Sequence, residues 1–322
     1  MSRRSTAWRD RAAWRRMKLP AFFLAALLAL VLLRTSWISP LPEGIVPVHQ
    51  QAVAALAHVV PVQPLAPPGI VEHEEKSQFS HIRVRRDGNL RYLCFVRDSG
   101  EEAVQTVLNI RKPHEMVSPY TRAMFSSYLF RPKQEQVLIV GLGGGAMVHF
   151  LRHYDPRLRI DVVEIDPAVV KIADKFFGVR SGGTVEIITA DAFDYLSKTQ
   201  KQYDVIYMDA FLKPTEQTDS TGVPLRIKGV QFYKDVQKKL VPEGLVVWNI
   251  NVHPGLKEDW QTISESFPQA YLLRTETANV VAIGSLSAQR PTAAVLKSRA
   301  QQLDRRFKTN ISFANLAEQL AR

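Results

Sequence analysis

Residues 137–166 read VLIVGLGGGAMVHFLRHYDPRLRIDVVEID. Four consecutive apolar residues, Val137–Val140, have the pattern of a strand buried on both faces. The loop Gly141–Gly145 follows. Its glycines let the backbone approach a ligand closely, and the helix predicted over Ala146–Tyr154 presents free N–H groups at its start. Ile160–Ile165 returns as a second buried strand. Pro167 then sits at the first position of a helix running to Phe177, where its missing N–H costs nothing. Strand, glycine loop, helix and strand make one βαβ unit of a parallel sheet.

The same alternation continues downstream. Strands are predicted at Val185–Thr189, Tyr203–Met208 and Leu245–Asn249, and helices at Ala192–Ser197, Gly229–Leu240 and Lys257–Phe267. Ala270–Thr275 and Asn279–Gly284 lie close enough to pair as a hairpin. The expected fold is α/β, a doubly wound sheet with an antiparallel edge. Upstream, Phe79–Val84, the turn Asp87-Gly88-Asn89, Leu90–Val96 and Ala103–Asn109 read as a small antiparallel β-domain. An amphipathic helix is expected over Tyr120–Phe130, after Ser118-Pro119.

The ends of the chain differ from its middle. Residues 1–18 carry seven cations and one acid, and residues 290–322 seven cations and two acids; together they account for the whole net charge of +11. The middle is neutral, which argues against a groove that tracks phosphates, so no nucleic-acid partner is expected. Leu19–Leu33 is an uncharged apolar run behind Arg15, Arg16 and Lys18. With Arg34 snorkelling and Trp37 at the interface, residues 19–38 read as an uncleaved signal anchor rather than a cleaved signal. The expectation is a membrane-associated chain with one N-terminal span, of bacterial inner-membrane type. Cys94 is the only cysteine. It permits no intrachain disulfide and no cysteine-based zinc site, and it reads as a small core residue of a strand; no metal is expected. The expected organisation is 1–38 basic segment and anchor, 39–69 Pro-rich linker, 70–117 β-domain, 118–285 nucleotide-binding domain, and 286–322 helical tail.

Four strand ends point at one ligand. Gly141, Gly143, Gly144 and Gly145 form the loop after the first strand. Glu164 ends the second strand, 23 positions beyond Gly141, where a carboxylate accepts from ribose hydroxyls. Asp191-Ala192 follows the third strand; the acid suits an adenine amino group and also the N-cap of the next helix. Asp209 ends the fourth strand, at the mouth of the crevice where chemistry is expected. Leu212–Arg226 is expected to be a lid, with Glu216 and Asp219 as acids it could deliver.

VLIVGLGGG (137–145), VVEIDPAVV (162–170), ADAFDYL (190–196), YDVIYMDAF (203–211) and FYKDVQKKLVPEGLVVWN (232–249) together resemble the spermidine/spermine synthase family of polyamine aminopropyltransferases. The resemblance runs over about residues 75–285. It implies a Rossmann-like domain of class I S-adenosylmethionine-methyltransferase type behind a small β-domain. It also implies decarboxylated S-adenosylmethionine as co-substrate and aminopropyl transfer to a putrescine-like small amine. By resemblance Glu164 holds the ribose, Asp191 the adenine, and Asp209 takes the proton of the attacking amine. Gln105 and Tyr120 match positions near the substrate. A homodimer is left open as a further partner. Two departures stand out: Gly144 occupies the position of a family aspartate, and Leu212 that of a second acid. His114-Glu115-Met116 looks like a family segment, but its spacing to Val137 does not carry that role to His114.

These departures keep two alternatives in view. One is a methyltransferase using intact S-adenosylmethionine, with Gly144 making room for the extra carboxylate. The other is a membrane-tethered, non-catalytic ligand-binding protein. A nicotinamide dehydrogenase is disfavoured, because no Tyr-x-x-x-Lys or relay histidine stands beside the predicted site.

Overall fold

The structure is a computed structural model and describes residues 67–321. A seven-stranded sheet forms its centre, in the order β10-β11-β9-β8-β5-β6-β7. The parallel strands are β5 (Gln136–Val140), β6 (Arg159–Glu164), β7 (Val185–Thr189), β8 (Tyr203–Met208) and β9 (Leu240–Asn251). The hairpin β10 (Gln269–Arg274) and β11 (Asn279–Ser285) adds the antiparallel edge. This is the doubly wound sheet expected from the sequence.

Both faces of the sheet are covered, which is why its strands are apolar without alternation. On one side Val137, Ile139, Val205 and Tyr207 pack beneath α1 (Pro119–Met124), α2 (Ser127–Phe130), α3 (Ala146–Tyr154) and α4 (Pro167–Phe177). On the other, Leu138, Val140, Ile206 and Met208 meet α5 (Ala192–Lys198), α6 (Val230–Gln237) and α7 (Leu256–Ser266). The C-terminal helices α8 (Ala293–Phe307) and α9 (Phe313–Ala321) join the first face through Leu296, Leu303, Phe307 and Phe313.

A second sheet, in the order β1-β2-β3-β4, is wholly antiparallel: Ile70–Lys76, His81–Asp87, Leu90–Val96 and Glu102–Asn109. Ile82, Val84, Leu93 and Leu108 bury its inner face in the same core as α3 and α4. Cys94 lies buried in β3, where burial pushes its thiol up to about 12 and leaves it unreactive.

The structure differs from the sequence expectation at three points. The single helix expected over Tyr120–Phe130 is two short ones, broken at Phe125-Ser126. There Phe125 stacks on Phe150 at 4.0 Å, and Ser127 Oγ meets the Tyr207 hydroxyl at 2.7 Å; these tertiary contacts outweigh helix continuity. The helix before Pro242 stops at Gln237, because Leu240 already pairs with Tyr203 in the sheet. Glu243, at φ +60°, then turns the strand through an irregularity. The third difference concerns localisation. The anchor read at residues 19–38 lies outside the described residues, and no helix among the described residues is long and apolar enough to cross a membrane. The expectation of a membrane-spanning chain is corrected on that finding.

Candidate active site

The strand order reverses between β5 and β8, and a crevice opens at the carboxyl ends of the strands there. Gly141, Glu164, Asp191, Ala192 and Asp209 all line this cleft, so one ligand-sized space gathers acids that are up to 45 positions apart in sequence.

Gly141 follows β5 directly. Its φ is +95°, and a Cβ there would stand 2.2 Å from the Asp209 carbonyl oxygen. Only glycine lets β5 and β8 release their chains this close together. Gly143 lines the cleft too, but Gly144 and Gly145 do not. A Cβ on Gly144 would meet the Phe177 ring at 2.8 Å and the Thr106 methyl at 2.9 Å. The space expected for an extra carboxylate at Gly144 is therefore filled by protein. The Gly144 N–H donates to Thr106 Oγ1 at 2.9 Å, which ties the loop to β4.

Glu164 is buried. Its Oε2 accepts the Leu142 N–H at 2.8 Å and its Oε1 the Asp166 N–H at 3.0 Å. Burial raises its pKa, against the pull of these N–H groups. Each oxygen keeps a second acceptor position, which suits it to hydroxyl donors. Asp166, not Glu164, caps α4, accepting from Ala168 N at 2.9 Å. Asp191 caps α5 through the Phe193 N–H at 2.8 Å, while its other oxygen pairs with the Arg226 guanidinium. Arg226 in turn lies over the Phe193 ring, 4.0 Å from its centroid.

Asp209 directly follows β8, walled in by protein except toward the cleft. Asn249 Nδ2 donates to its Oδ1 at 2.8 Å, and the Tyr120 hydroxyl stands 3.5 Å from Oδ2. No cation pairs with it among the described residues. Loss of water raises its carboxyl to about 6, although both neutral donors oppose the shift. The single Tyr120 hydroxyl hydrogen is shared with the Gln105 carbonyl at 3.2 Å, and burial together with the Asp209 charge holds its phenol well above the ordinary range.

Gln105 reaches the cleft because of an irregularity in β4. Leu93 pairs with Thr106 and Cys94 with Val104, leaving Gln105 as the extra residue. Such a bulge re-aims a side chain.

Several cleft residues escaped the sequence reading. Asn249 and Asn251 lie on one face of β9, and Asn279 faces them from β11. Asn279 Nδ2 donates to Asn249 Oδ1 at 2.9 Å and to Asn251 Oδ1 at 2.5 Å. The available signal was Trp248-Asn249-Ile250-Asn251, where polar residues recur with period two at the end of an apolar strand. Thr106 and Arg226 gave no such signal. The acids proposed for the lid do not reach the cleft. Glu216 is exposed, and Asp219 pairs with Lys228, which also bonds Asp259 at 2.6 Å. His114 stacks on His153 at 3.8 Å, and neither lines the cleft.

Comparison with known proteins agrees with this geometry. The family model described as the spermine/spermidine synthase domain matches residues 118–280. A polyamine aminopropyltransferase of Vibrio vulnificus is 30% identical over 180 residues, 55% of this chain; the match spans 58% of the relative's length. The crystal structure of human methyltransferase-like protein 13 in complex with SAH matches with a TM-score of 0.55 at 27% identity, covering 60% of this chain and 93% of that one. Spermidine synthase from Thermotoga maritima matches with a TM-score of 0.57 at 18% identity, covering 78% and 84%, a likeness of fold.

Proposed function

Because the chain belongs to the spermine/spermidine synthase family, we propose that it is a transferase that moves the aminopropyl group of decarboxylated S-adenosylmethionine onto a small amine. The observation that carries this reading is the state of Asp209, a carboxylate facing the cleft with two neutral donors and no cation. Such a group is suited to hold an arriving ammonium and to take its proton.

The cleft fits an adenosyl group. Gly141 lines the cleft where β5 and β8 release their chains side by side. Glu164 has acceptor positions left for ribose hydroxyls, and Asp191, Ala192 and Phe193 border the slot for the base. When bound, the donor supplies a carbon made electrophilic by the adjoining sulfonium. Asp209 takes the ammonium proton as the amine's N–C bond forms and the C–S bond breaks, its electron pair left on sulfur. Tyr120 and Asn249 keep the Asp209 carboxylate oriented through that step. No covalent enzyme intermediate is required.

A second reading, methyl transfer from intact S-adenosylmethionine, is favoured by the likeness to human methyltransferase-like protein 13. Calorimetric titration of the protein with each nucleotide separates the two. Tighter binding of the decarboxylated form, with transfer to an amine that Asp209→Asn abolishes, supports aminopropyl transfer. Preference for S-adenosylmethionine moves the reading to methyl transfer. Binding of neither, with Asp209→Asn behaving like its parent, leaves a non-catalytic ligand-binding protein.

A further inference from the structure

The cleft holds three carboxylates, and two of them are already engaged. Glu164 receives two backbone N–H groups, and Asp191 caps α5 and pairs with Arg226. Asp209 faces the cleft with no cation and with neutral side-chain donors in place of backbone N–H groups. Leu212 and the packed Gly144 supply no further acid. With the remaining acceptor positions of Glu164 taken by the ribose hydroxyls, a diamine would find one anionic partner, not two.

The polar groups next to Asp209 have a fixed direction. An ionised Asp209 accepts only, so Asn249 must turn its Nδ2 toward it. Asn249 Oδ1 then faces Asn279 and needs a donor, which Asn279 Nδ2 provides at 2.9 Å. Asn279 Oδ1 accepts from the Thr277 hydroxyl at 2.9 Å. Asn279 Nδ2 also meets Asn251 Oδ1, so Asn251 is left with its N–H groups as the unused end. The row runs acceptor to donor away from Asp209 and ends in a donor. A donor repels a second ammonium and suits a hydroxyl, carbonyl or amide oxygen. Asn249 and Asn251 are two residues apart on one strand face, about 6.6 Å, within reach of a short alkyl chain whose amine sits at Asp209.

We propose that the acceptor is a short primary amine whose far end carries a neutral hydrogen-bond acceptor, not a second ammonium, with Asn251 as the residue that selects it. This rests on the reading that an amine enters the cleft at Asp209.

The test is binding, so that it does not depend on transfer. 4-Amino-1-butanol and 1,4-diaminobutane are titrated separately into the full chain by calorimetry. The expected result is at least tenfold tighter binding of the amino alcohol. Asn251→Asp keeps an oxygen for Asn279 and adds a charge, and is expected to reverse the order in favour of the diamine. Tighter binding of the diamine by the parent, an order unchanged by Asn251→Asp with the fold intact by circular dichroism, or binding of neither amine would overturn the proposal. If the preference and its reversal hold while neither nucleotide binds, the acceptor inference stands and aminopropyl transfer alone fails.

Discussion

Asn249 Nδ2 donates to Asp209 Oδ1 at 2.8 Å, joining the residue just past β8 to the carboxyl end of the neighbouring strand β9. This is one of two bonds that oppose the upward shift of the Asp209 carboxyl. Replacing Asn249 by Leu removes it and leaves the burial. The Asp209 pKa should rise further, on the order of one unit, as expected for loss of a hydrogen bond to a charged group. The acid limb of the kcat/KM profile, which follows the free protein, should move to higher pH accordingly. An unmoved limb with intact binding would show that Asp209 does not set it.

Asp209→Asn should lower transfer by about 10² to 10⁴, the range for a lost general base. Affinity for the nucleotide should change little, because Asp209 lies beyond the residues expected to hold ribose and base. Single-turnover rates and calorimetry on the same variant check both halves. A variant that turns over like its parent would remove Asp209 from the chemistry.

The same carboxyl predicts a pH dependence of stability. Its folded pKa of about 6 exceeds the ordinary aspartate value near 3.9. Protonated Asp209 is thus favoured by folding. That contribution is complete below about 3.9 and is lost as pH rises through about 6. Asp209→Asn removes this dependence. Relative to the parent, the variant should gain on the order of 2 kcal/mol between pH 4 and pH 7, allowing for water in the cleft. Urea denaturation at the two pH values measures the difference, and a constant difference would contradict the shift.

Much of the frame is legible in the sequence because it rests on local pattern. The glycine loop, Pro167 and the apolar runs mark the βα units, and acids at strand ends mark the crevice. Glu164, Asp191 and Asp209 converge as the spacing implied. What escaped depends on pairing between strands. Gln105 turns into the cleft through a bulge that appears only when β3 and β4 are aligned. Asn279 reaches Asn249 only because β11 lies beside β9. The packing around Gly144 depends on Phe177, which is 33 residues away. Such contacts are tertiary, and no periodicity encodes them.

Gly141 and Gly183 make a matched pair. Both have positive φ, at +95° and +61°, but a Cβ on Gly183 meets nothing within 4 Å. Gly183→Ala should cost only backbone strain, about 1 to 2 kcal/mol. Gly141→Ala adds a contact of 2.2 Å with the Asp209 carbonyl, a backbone atom held by the sheet. It should cost more than Gly183→Ala by at least about 2 kcal/mol, the scale of overpacking, and should also weaken nucleotide binding. Equal melting temperatures for the two variants would mean that the loop yields freely.

Lys228, two residues past the segment Leu212–Arg226, sits among Asp219, Asp259 and His253, whose ligand atoms lie within 4.8 Å of one another. Burial pushes the Asp219 carboxyl up, but Lys228, Thr221 and the Val223 N–H outweigh it and hold it below its ordinary value. Lys228→Met leaves the acids without their cation. At neutral pH this should cost about 3 to 5 kcal/mol, the range for removing one partner of a buried pair. The depressed carboxyl contributes stability above its unfolded value that is lost as pH falls through its folded value. The gap between parent and variant should therefore shrink on acidification below about 4. Lys228 also follows Ile227, which is buried under the sheet, and Arg226, which pairs with Asp191. Hydrogen exchange over residues 212–228 should accelerate in the variant, while β5 and β8 keep their protection. Acceleration spread evenly over the sheet would instead mark Lys228 as a general stabiliser of the fold and not as the tether of this segment.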